Sequence, residues 1–394
     1  MSLENVSIVP LKDVVKRVKV GFVGSCNNDY CSSDEGVPMI RTTNLTTEGI
    51  KLENLKYINN TFHIAHKKSQ LHFGDILIAR HGHNGLASLW EYKFDAQCLN
   101  VVVVEPDESL ANRYYLTYLI NSPLIQKQIK SLTGGSVQSV VNTKDIADLL
   151  IPIPSLDKQK EIADFISLFN KKISVCKSIN KNLEEQLSLL FNDWFVNCTP
   201  FKNEELIKSE WGVVPESWKD IEFGELIEIT SGNRPDEKSE DKTSEFNIPL
   251  FGASKIMGYT KEYSYNEDIL IIGRVGTHGV VQRVNYPCFP SDNTFVIKSD
   301  YYGFVYQLLK RIDYDSLNTG STQPLITQKS LKTVNAVLPD EKILSKFEMI
   351  SKTIFDKIQL NNDEISNLTK LRDTLLPKLM SGEIDVSKIN CDLE

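Results

Sequence analysis

Residues 162–194 read IADFISLFNKKISVCKSINKNLEEQLSLLFNDW, a segment in which apolar side chains recur at alternating spacings of four and three residues. The recurring positions are Ile162, Ile166, Phe169, Ile173, Cys176, Asn180, Leu183, Leu187, Leu190 and Trp194. This spacing is typical of a coiled-coil helix, and Asn180 is its one polar position near the middle. An α-helix of this length spans about 50 Å. The pattern therefore predicts a helix long enough to act as a spacer.

A second segment with the same spacing lies 185 residues later in the chain. Its seam positions are Phe347, Ser351, Ile354, Ile358, Asn361, Ile365, Leu368, Arg372, Leu375 and Leu379. Two matched seams in one chain favour pairing of the two helices with each other. The alternative is that each helix packs only on its own domain.

The segments that precede the helices also recur in the same order. DILIARHGHNG at 75–85 corresponds to DILIIGRVGTHG at 268–279, VPMI at 37–40 to IPLF at 248–251, and TGGSVQ at 133–138 to TGSTQ at 319–323. Repetition of several ordered blocks predicts a tandem duplication. At about 150 residues per domain, a chain of 394 residues has room for two or three domains.

The predicted fold class is mixed α+β within the broad α/β class. Short apolar runs at 76–79, 101–104 and 269–272 are bounded by Gly, Pro and Asn, which predicts buried strands. Helix patterns follow at 112–120 and 301–311. Each copy therefore consists of a mixed globular part and a long helix.

The predicted domain boundaries follow from this alternation. The first globular part covers 1–155 and its helix covers 156–200, after the proline-rich segment IPIP. The second globular part covers 201–338 and its helix covers 339–394.

Composition indicates an ordinary globular protein, with 41% hydrophobic and 24% charged residues. No apolar stretch approaches the roughly 18 residues that a membrane span needs, and the N-terminal sequence lacks a signal-peptide pattern. The seven cysteines form no CxxC pair. We therefore expect a cytoplasmic protein with reduced thiols and no membrane partner.

The sequence offers no catalytic site that can be recognised from spacing. It contains no phosphate-binding GxxxxGK[ST] loop and no GxGxxG after a strand. The tetrapeptide NSPL at 121–124 lacks the second proline and the aromatic residue of an amino-methyltransferase motif. The PDEK segments at 235–238 and 339–342 have contiguous charges, which favours charged turns over a nuclease site. We therefore predict a recognition or scaffold protein.

A metal site is not predicted either. The pairs His63-x-x-His66 and His81-x-His83 could suggest a metal site, with Cys26 and Cys31 nearby in the sequence. The second copy, however, retains only His278, and its lone Cys288 has no partner at a suitable spacing. If the metal ligands had been duplicated, more of these His and Cys residues would be expected in the second copy. No cofactor is therefore assigned to this chain.

Charge counts argue weakly against nucleic-acid binding. Asp and Glu total 52 against 44 Lys and Arg, for a formal charge of −8. Residues 1–155 carry 15 basic and 15 acidic groups, whereas residues 201–338 carry 15 and 20. Affinity from phosphate neutralisation alone would be limited, so any nucleic-acid contact has to be local.

Local contacts of this kind are predicted in matching loops of the two copies. An Arg precedes a Gly-x-x-Gly segment in each copy, and the absent side chains allow backbone amides to approach phosphate. Arg and Asn side chains also suit guanine and adenine, respectively. The candidate residues are Arg41, Thr42, Thr43, Asn44, Arg80, His81, His83, Asn84, Gly134, Gly135, Ser136, Gln138, Ser254, Lys255, Arg274, Thr277, His278, Gly320, Ser321, Thr322 and Gln323. The alternative is that these loops are plain hairpin turns.

The chain resembles the specificity (S) subunits of type I restriction–modification enzymes over essentially its whole length. The segments that carry this resemblance are IPIPSLDKQKEI at 151–162, LFNDWFVNCTPF at 190–201, WGVVPESW at 211–218 and LRDTLLPKLMSGEI at 371–384. Two departures stand out: the second helix lacks a Gln equivalent to Gln159, and Arg372 occupies a seam position.

This resemblance implies a division of labour among subunits. Two target-recognition domains would each recognise one half of an asymmetric, bipartite site in double-stranded DNA. The two helices would pack as an antiparallel coiled coil, set the spacer and dock two modification subunits. Those subunits would bring S-adenosylmethionine and adenine methylation, and restriction (translocase) subunits would bring ATP and Mg-dependent activity.

Two other functions remain open at this point. One is a coiled-coil interaction scaffold without DNA specificity. The other is a fragment of a fused restriction enzyme whose catalytic parts lie on the same polypeptide.

Overall fold

A computed structural model describes residues 6–82, 85–132, 140–320, 324–386 and 389. The chain divides into unit 1, made of Met1–Ser178 with Asn361–Glu394, and unit 2, made of Ile179–Leu360. Among the described residues, no helix is long and apolar enough to cross a membrane.

In its described residues, unit 1 has twelve strands and four α-helices before the first long helix. The strands are β1 (Ser7–Pro10), β2 (Val15–Val20), β3 (Tyr30–Cys31), β4 (Gly36–Arg41), β5 (Leu45–Thr46), β6 (Gly49–Ile50), β7 (Lys56–Asn59), β8 (Ile76–Ala79), β9 (Ala87–Leu89), β10 (Gln97–Leu99), β11 (Val101–Pro106) and β12 (Leu150–Ile153) within the described ranges. The helices are α1 (Asn60–Ala65), α2 (Arg113–Ile120), α3 (Pro123–Leu132) and α4 (Thr143–Ala147).

The long helix α5 covers Leu156–Phe191, so the boundary between the units falls inside it. The strands that follow it are β13 (Leu206–Lys208), β14 (Val213–Pro215), β15 (Lys219–Glu222), β16 (Glu228–Ser231), β17 (Ile248–Phe251), β18 (Ile256–Thr260), β19 (Ile269–Gly273), β20 (Gln282–Val284), β21 (Phe289–Pro290), β22 (Thr294–Lys298) and β23 (Asn335–Leu338). The helices that follow it are α6 (Tyr302–Leu309), α7 (Gln328–Lys332) and α8 (Glu341–Met380).

The two units repeat one sheet topology. An antiparallel sheet has the strand order β2-β11-β8-β9 in unit 1 and β16-β22-β19-β20 in unit 2. A second sheet contains one parallel pair in each unit, β4 with β10 and β17 with β21. The prediction of a mixed α+β fold is therefore confirmed, and the duplication seen in the sequence extends to the strand order.

The central strands are apolar at every position because both of their faces are buried. In β11, Val102 and Val104 belong to the core that contains α2 and the start of α5, while Val101 and Val103 belong to a separate core on the other face. Successive side chains of a strand point to opposite faces, so a doubly covered strand needs an unbroken apolar run. β19 of unit 2 is buried on both faces in the same way.

The ten seam positions of each long helix are all buried or partly buried. In unit 1, Arg372 of α8 donates to the side-chain oxygen of Asn170 at 2.8 Å, and Lys172 of α5 pairs with Glu364 at 3.3 Å. A later position in α5 thus meets an earlier position in α8, as in an antiparallel pair. Arg372 therefore has a defined partner within unit 1.

In unit 2, α5 and α8 meet in an aromatic cluster. The Phe347 ring lies 5.9 Å from Phe191 and 5.1 Å from Phe195, and Phe304 of α6 lies 5.4 Å from Phe191. All four rings are fully buried. The cluster joins both long helices to the globular part of this unit.

The start of each long helix is tied to its unit by a different polar side chain. Gln159 is fully buried, accepts a hydrogen bond from the Asn112 amide at 2.8 Å and donates to two backbone carbonyls. In the second copy, Glu348 accepts from the backbone amides of Gly303 and Phe304 at 2.9 and 2.8 Å. The missing second Gln is thus replaced by an acidic group that satisfies amides at the start of α6.

We expect Phe191→Ala to lower the free energy of unfolding by about 3–5 kcal/mol, because it opens a cavity in a fully buried aromatic cluster. Chemical denaturation of the variant measures this loss. Leu189→Ala is the matched control, since Leu189 lies on the same helix but is 67% exposed. Equal stability losses for the two variants would contradict this account of the cluster.

Candidate nucleic-acid interface

The Gly-x-x-Gly segments have the same backbone conformation in both units. Gly82 and Gly85 have φ angles of 77° and 86°, and Gly276 and Gly279 have 81° and 78°. These values lie in the left-handed region, which residues with a side chain adopt at a cost. The glycines are therefore required by the backbone turn itself. An added Cβ on Gly82 or Gly276 would meet no atom within 4 Å.

Each Gly-x-x-Gly loop lies beside the segment that follows the Thr-Gly loop of the same unit. The Val141 amide donates to the Arg80 carbonyl at 3.2 Å, and the Ile326 amide donates to the Arg274 carbonyl at 2.9 Å. The two pairs correspond in the sequence repeat. The structure therefore places the Arg-containing turn of each unit next to the segment that follows its Thr-Gly loop.

Part of the candidate set lies outside the described residues. These positions are His83, Asn84, Gly134, Gly135, Ser136, Gln138, Ser321, Thr322 and Gln323. Within the described residues, the Gly320 amide donates to the Asn318 side chain at 2.9 Å, and Thr319 donates to the Leu325 carbonyl at 3.2 Å. The described ends of the second loop in unit 2 are therefore held by local hydrogen bonds.

The two repeated arginines are half-buried and held against their own units. Arg80 donates through Nε to the Val141 carbonyl at 3.2 Å. The Arg274 guanidinium lies 5.5 Å from the centre of the Phe295 ring, in the range of a cation–π contact. These contacts limit the rotamers of both side chains at the loop.

The turn after β4 gives Asn44 a structural role. Asn44 is only 4% exposed, accepts from the Arg41 amide at 3.0 Å and donates to the Lys51 carbonyl at 3.3 Å. Both ends of its amide are thus engaged in the turn, which gives no support to the predicted adenine contact. Thr43 is exposed and Thr42 is half-buried, so these hydroxyls are better placed to contact a ligand.

The charge of Arg41 acts on a neighbouring tyrosine. Burial raises the pKa of Tyr30, with a further contribution from the Cys26 thiol, and the positive charge of Arg41 opposes this rise.

In unit 2, the corresponding turn after β17 lies against the Arg274 loop. The Gly252 amide donates to the Lys255 carbonyl at 2.8 Å, and Lys255 is exposed beside a half-buried Ser254. A Cβ on Gly273 would come within 2.7 Å of the Ala253 Cβ, so these two segments are in close contact. Two stretches that are far apart in the sequence are thus brought together.

The remaining candidates differ in exposure. His81 and Thr277 are exposed, whereas His278 is half-buried, with Nε2 3.3 Å from the Arg274 carbonyl. His63 and His66 serve packing: His63 contacts the Gln97 amide at 3.2 Å, and the ring of His66 lies 4.1 Å from that of Phe62. Among the described residues, no group of His, Cys, Asp and Glu could hold a metal ion.

One contact at this site could not be found by sequence reasoning. Gln282 of β20 donates to the Gly252 carbonyl at 2.8 Å and so supports the turn that carries Lys255. The two residues lie 30 positions apart, and Gln282 belongs to no repeated block. The local pattern contains no signal for this contact.

Comparison with known proteins gives one consistent family. The protein-family model described as "Type I restriction modification DNA specificity domain" matches residues 4–185 and 215–370. The putative type I restriction enzyme MjaX specificity subunit of Methanocaldococcus jannaschii is 26% identical, over 97% of this chain and 94% of that protein. The type I restriction enzyme MjaIX specificity subunit of the same organism is 28% identical, over 70% of each chain.

A solved structure has a similar fold. The crystal structure of a type I restriction–modification S subunit from M. genitalium gives a TM-score of 0.54 at 16% identity, over 95% of this chain and 96% of that chain. At this identity, the likeness shows the fold alone.

We expect Gly82→Ala and Gly276→Ala each to lower the free energy of unfolding by about 1–2 kcal/mol, because a side chain strains a left-handed residue even in open space. Gly→Asn at either position should cost less, since Asn tolerates this conformation. Denaturant titration measures both effects. Thr277→Ala, in the same loop, is the control and should change stability by less than about 0.5 kcal/mol. Alanine variants as stable as the wild type would refute the conformational requirement.

Proposed function

The chain belongs to the type I restriction modification DNA specificity family, and on this premise we propose that each of its two units recognises one half of a bipartite, asymmetric DNA site. Its family is one of non-catalytic specificity subunits with tandem target-recognition domains. The chain would therefore select the DNA sequence on which partner subunits act.

One observation carries this proposal. Both units present an Arg before two left-handed glycines, and both hold that turn with the same backbone hydrogen bond. The neighbouring turns differ, with Arg41 and two threonines in unit 1 and Ser254 and Lys255 in unit 2. A retained framework with different side chains at the neighbouring turns is what recognition of two unlike half-sites requires, because phosphate contacts position a protein and base contacts specify the sequence.

The long helices would set the distance between the half-sites. The buried seams, the opposed order of the α5–α8 contacts in unit 1 and the aromatic contact of the two helices in unit 2 support an antiparallel coiled coil. Helix length would then determine the number of base pairs between the half-sites.

The same helices would dock two modification subunits. In unit 1, Leu168 and Val175 of α5 are 42% and 52% exposed and lie seven residues apart. In unit 2, Leu189 of α5 is 67% exposed, and Val196, in the π-helical turn Asn192–Val196 that follows α5, is 47% exposed. Apolar side chains that recur on one side of a helix and stay outside the cores suit a partner surface. The modification subunits would supply S-adenosylmethionine binding and adenine methylation, and restriction subunits would supply ATP- and Mg-dependent activity.

Methylation mapping tests the proposed function directly. The chain is expressed with its modification subunits in a host without other adenine methylation, and the modified bases are located across the genome. The expected result is one asymmetric motif with two defined parts and an unspecified spacer. An intact complex that modifies no bipartite motif would leave the scaffold function as the better account.

We expect paired seven-residue helical insertions, one after Ser178 and one after Leu360, to lengthen the spacer and leave the half-sites unchanged. Both insertion points lie at the boundary between the units. Seven residues make about two helical turns and about 10 Å, so the seam keeps its phase and the spacer grows by about three base pairs.

The control inserts the same seven residues into the exposed loop between Lys202 and Glu205, where neither long helix changes. Methylation mapping should then give the original spacer. An unchanged spacer after the paired helical insertions, or altered half-sites, would contradict the spacer role.

A further inference from the structure

In unit 2, Glu184 of α5 binds the globular part through three donors. Its carboxylate accepts from Arg283 Nη2 at 2.9 Å, from the Tyr306 hydroxyl at 2.9 Å and from Lys310 Nζ at 3.4 Å. Burial, followed by the Glu184 charge, raises the pKa of Tyr306, so its hydroxyl stays protonated and remains a donor. One helix residue thus holds strand β20 and helix α6 together.

Arg283 is held from a second side by aromatic rings. Its guanidinium lies 3.8 Å from the ring centre of Phe355 in α8 and 5.2 Å from that of Tyr306. The side chains of Arg283 and Glu184 are only 17% and 26% exposed. A charge pair with this burial and stacking has one defined geometry, unlike a flexible surface pair.

This pair is connected to the candidate DNA contacts by two short steps. Arg283 lies opposite Leu270 in the β19–β20 ladder, and β19 ends immediately before Arg274. Its chain neighbour Gln282 donates to the Gly252 carbonyl, at the start of the turn that carries Lys255. A shift of Arg283 relative to α5 would therefore move both loops.

Unit 1 has a different ion pair with α5, of opposite polarity. Lys177 of α5 donates to Glu48 at 2.6 Å, and Glu48 lies in the β5–β6 turn. The β5–β6 hairpin begins directly after Asn44. The Ser88 hydroxyl accepts a hydrogen bond from the Thr46 amide and donates one to the Thr46 carbonyl. The Lys177–Glu48 pair is more exposed, at 48% and 33%, and Glu48 lines an open groove of about 490 Å³ between the globular part and α5.

We propose that α5 orients each recognition domain through one ion pair, Lys177–Glu48 in unit 1 and Glu184–Arg283 in unit 2, and that these pairs are positioning residues for half-site specificity. This inference rests on the proposed function. The pairs do not touch DNA; they determine where the loops that do so lie relative to the helix.

The two pairs do not occupy equivalent positions of the repeat. Arg283 lies in β20, the counterpart of β9, whereas Glu48 lies in the β5–β6 turn. The helix offers a cation to unit 1 and, seven residues later, an anion to unit 2. Each unit therefore has its own ion pair with α5.

The test measures methylation by the complete modification complex on duplexes that carry the cognate site or one mismatch in either half. We expect Glu184→Gln to lower discrimination against mismatches in one half-site by about tenfold, equivalent to about 1.4 kcal/mol, and to leave the other half-site unchanged. Glu48→Gln should lower discrimination at the opposite half-site, by a smaller factor because its pair is more exposed. Glu185→Gln is the matched control: it removes the same charge from an exposed adjacent position and should change neither half.

A second variant guards against misfolding. Arg283→Lys keeps the charge but loses the planar stacking on Phe355. It should therefore lower discrimination against mismatches at the same half-site as Glu184→Gln, but by a smaller factor. Thermal unfolding of each complex separates lost stability from lost discrimination.

Three results would overturn the inference. Glu184→Gln could change discrimination no more than Glu185→Gln does, or it could lower discrimination equally at both half-sites. The third result is that Glu184→Gln and Glu48→Gln lower discrimination at the same half-site. A wild-type complex without a bipartite motif would instead refute the proposed function. The two failures are therefore distinguishable.

Discussion

The burial of one helix seam in the core of each unit is the constraint on which the rest of the structure depends. Ile162 and Ile166 of α5 lie in the core of unit 1, and Leu187 and Phe191 of the same helix lie in the core of unit 2. Each central sheet is apolar on both faces, so it needs a helix layer on one face and a second core on the other. The strands of each sheet are held in close-packed cores, so the positions at which the loops leave the strands are fixed.

Periodicity and backbone geometry were predictable because each is a property of the local sequence. The runs that predicted β8 and β19 are buried strands. The repeated Gly-x-x-Gly segments, which the sequence favoured for close backbone approach, have left-handed glycines such as Gly276. The hydrogen-bond partners of individual polar side chains were not predictable in the same way. The sequence favoured a base contact for Asn44, whereas its amide stabilises its own turn. A short amide can serve either role, and only the local backbone decides between them.

The duplicated units show how a common framework tolerates different solutions. Gln159 satisfies backbone groups before α2, while in the second copy Leu344 takes the aligned position and is fully buried. Glu348, one helical turn later, then binds the first amides of α6. A repeat comparison detects the lost Gln but cannot locate its replacement, because the new donors belong to a helix 44 residues or more away in the chain.

Total charge was a poor guide to function because it does not say where the charges lie. Glu48 pairs with Lys177 across 129 residues, and Glu184 pairs with Arg283 across 99. Each pair is neutral as a whole, so it adds nothing to the formal charge of −8 and little to the field at the loops. What a DNA phosphate meets depends on the nearest groups, since exposed charges more than about 10 Å apart are largely screened at moderate salt. An acidic chain can therefore present loops suited to DNA, provided that its acidic groups serve the framework and its exposed cations, such as Lys255, lie at the turns.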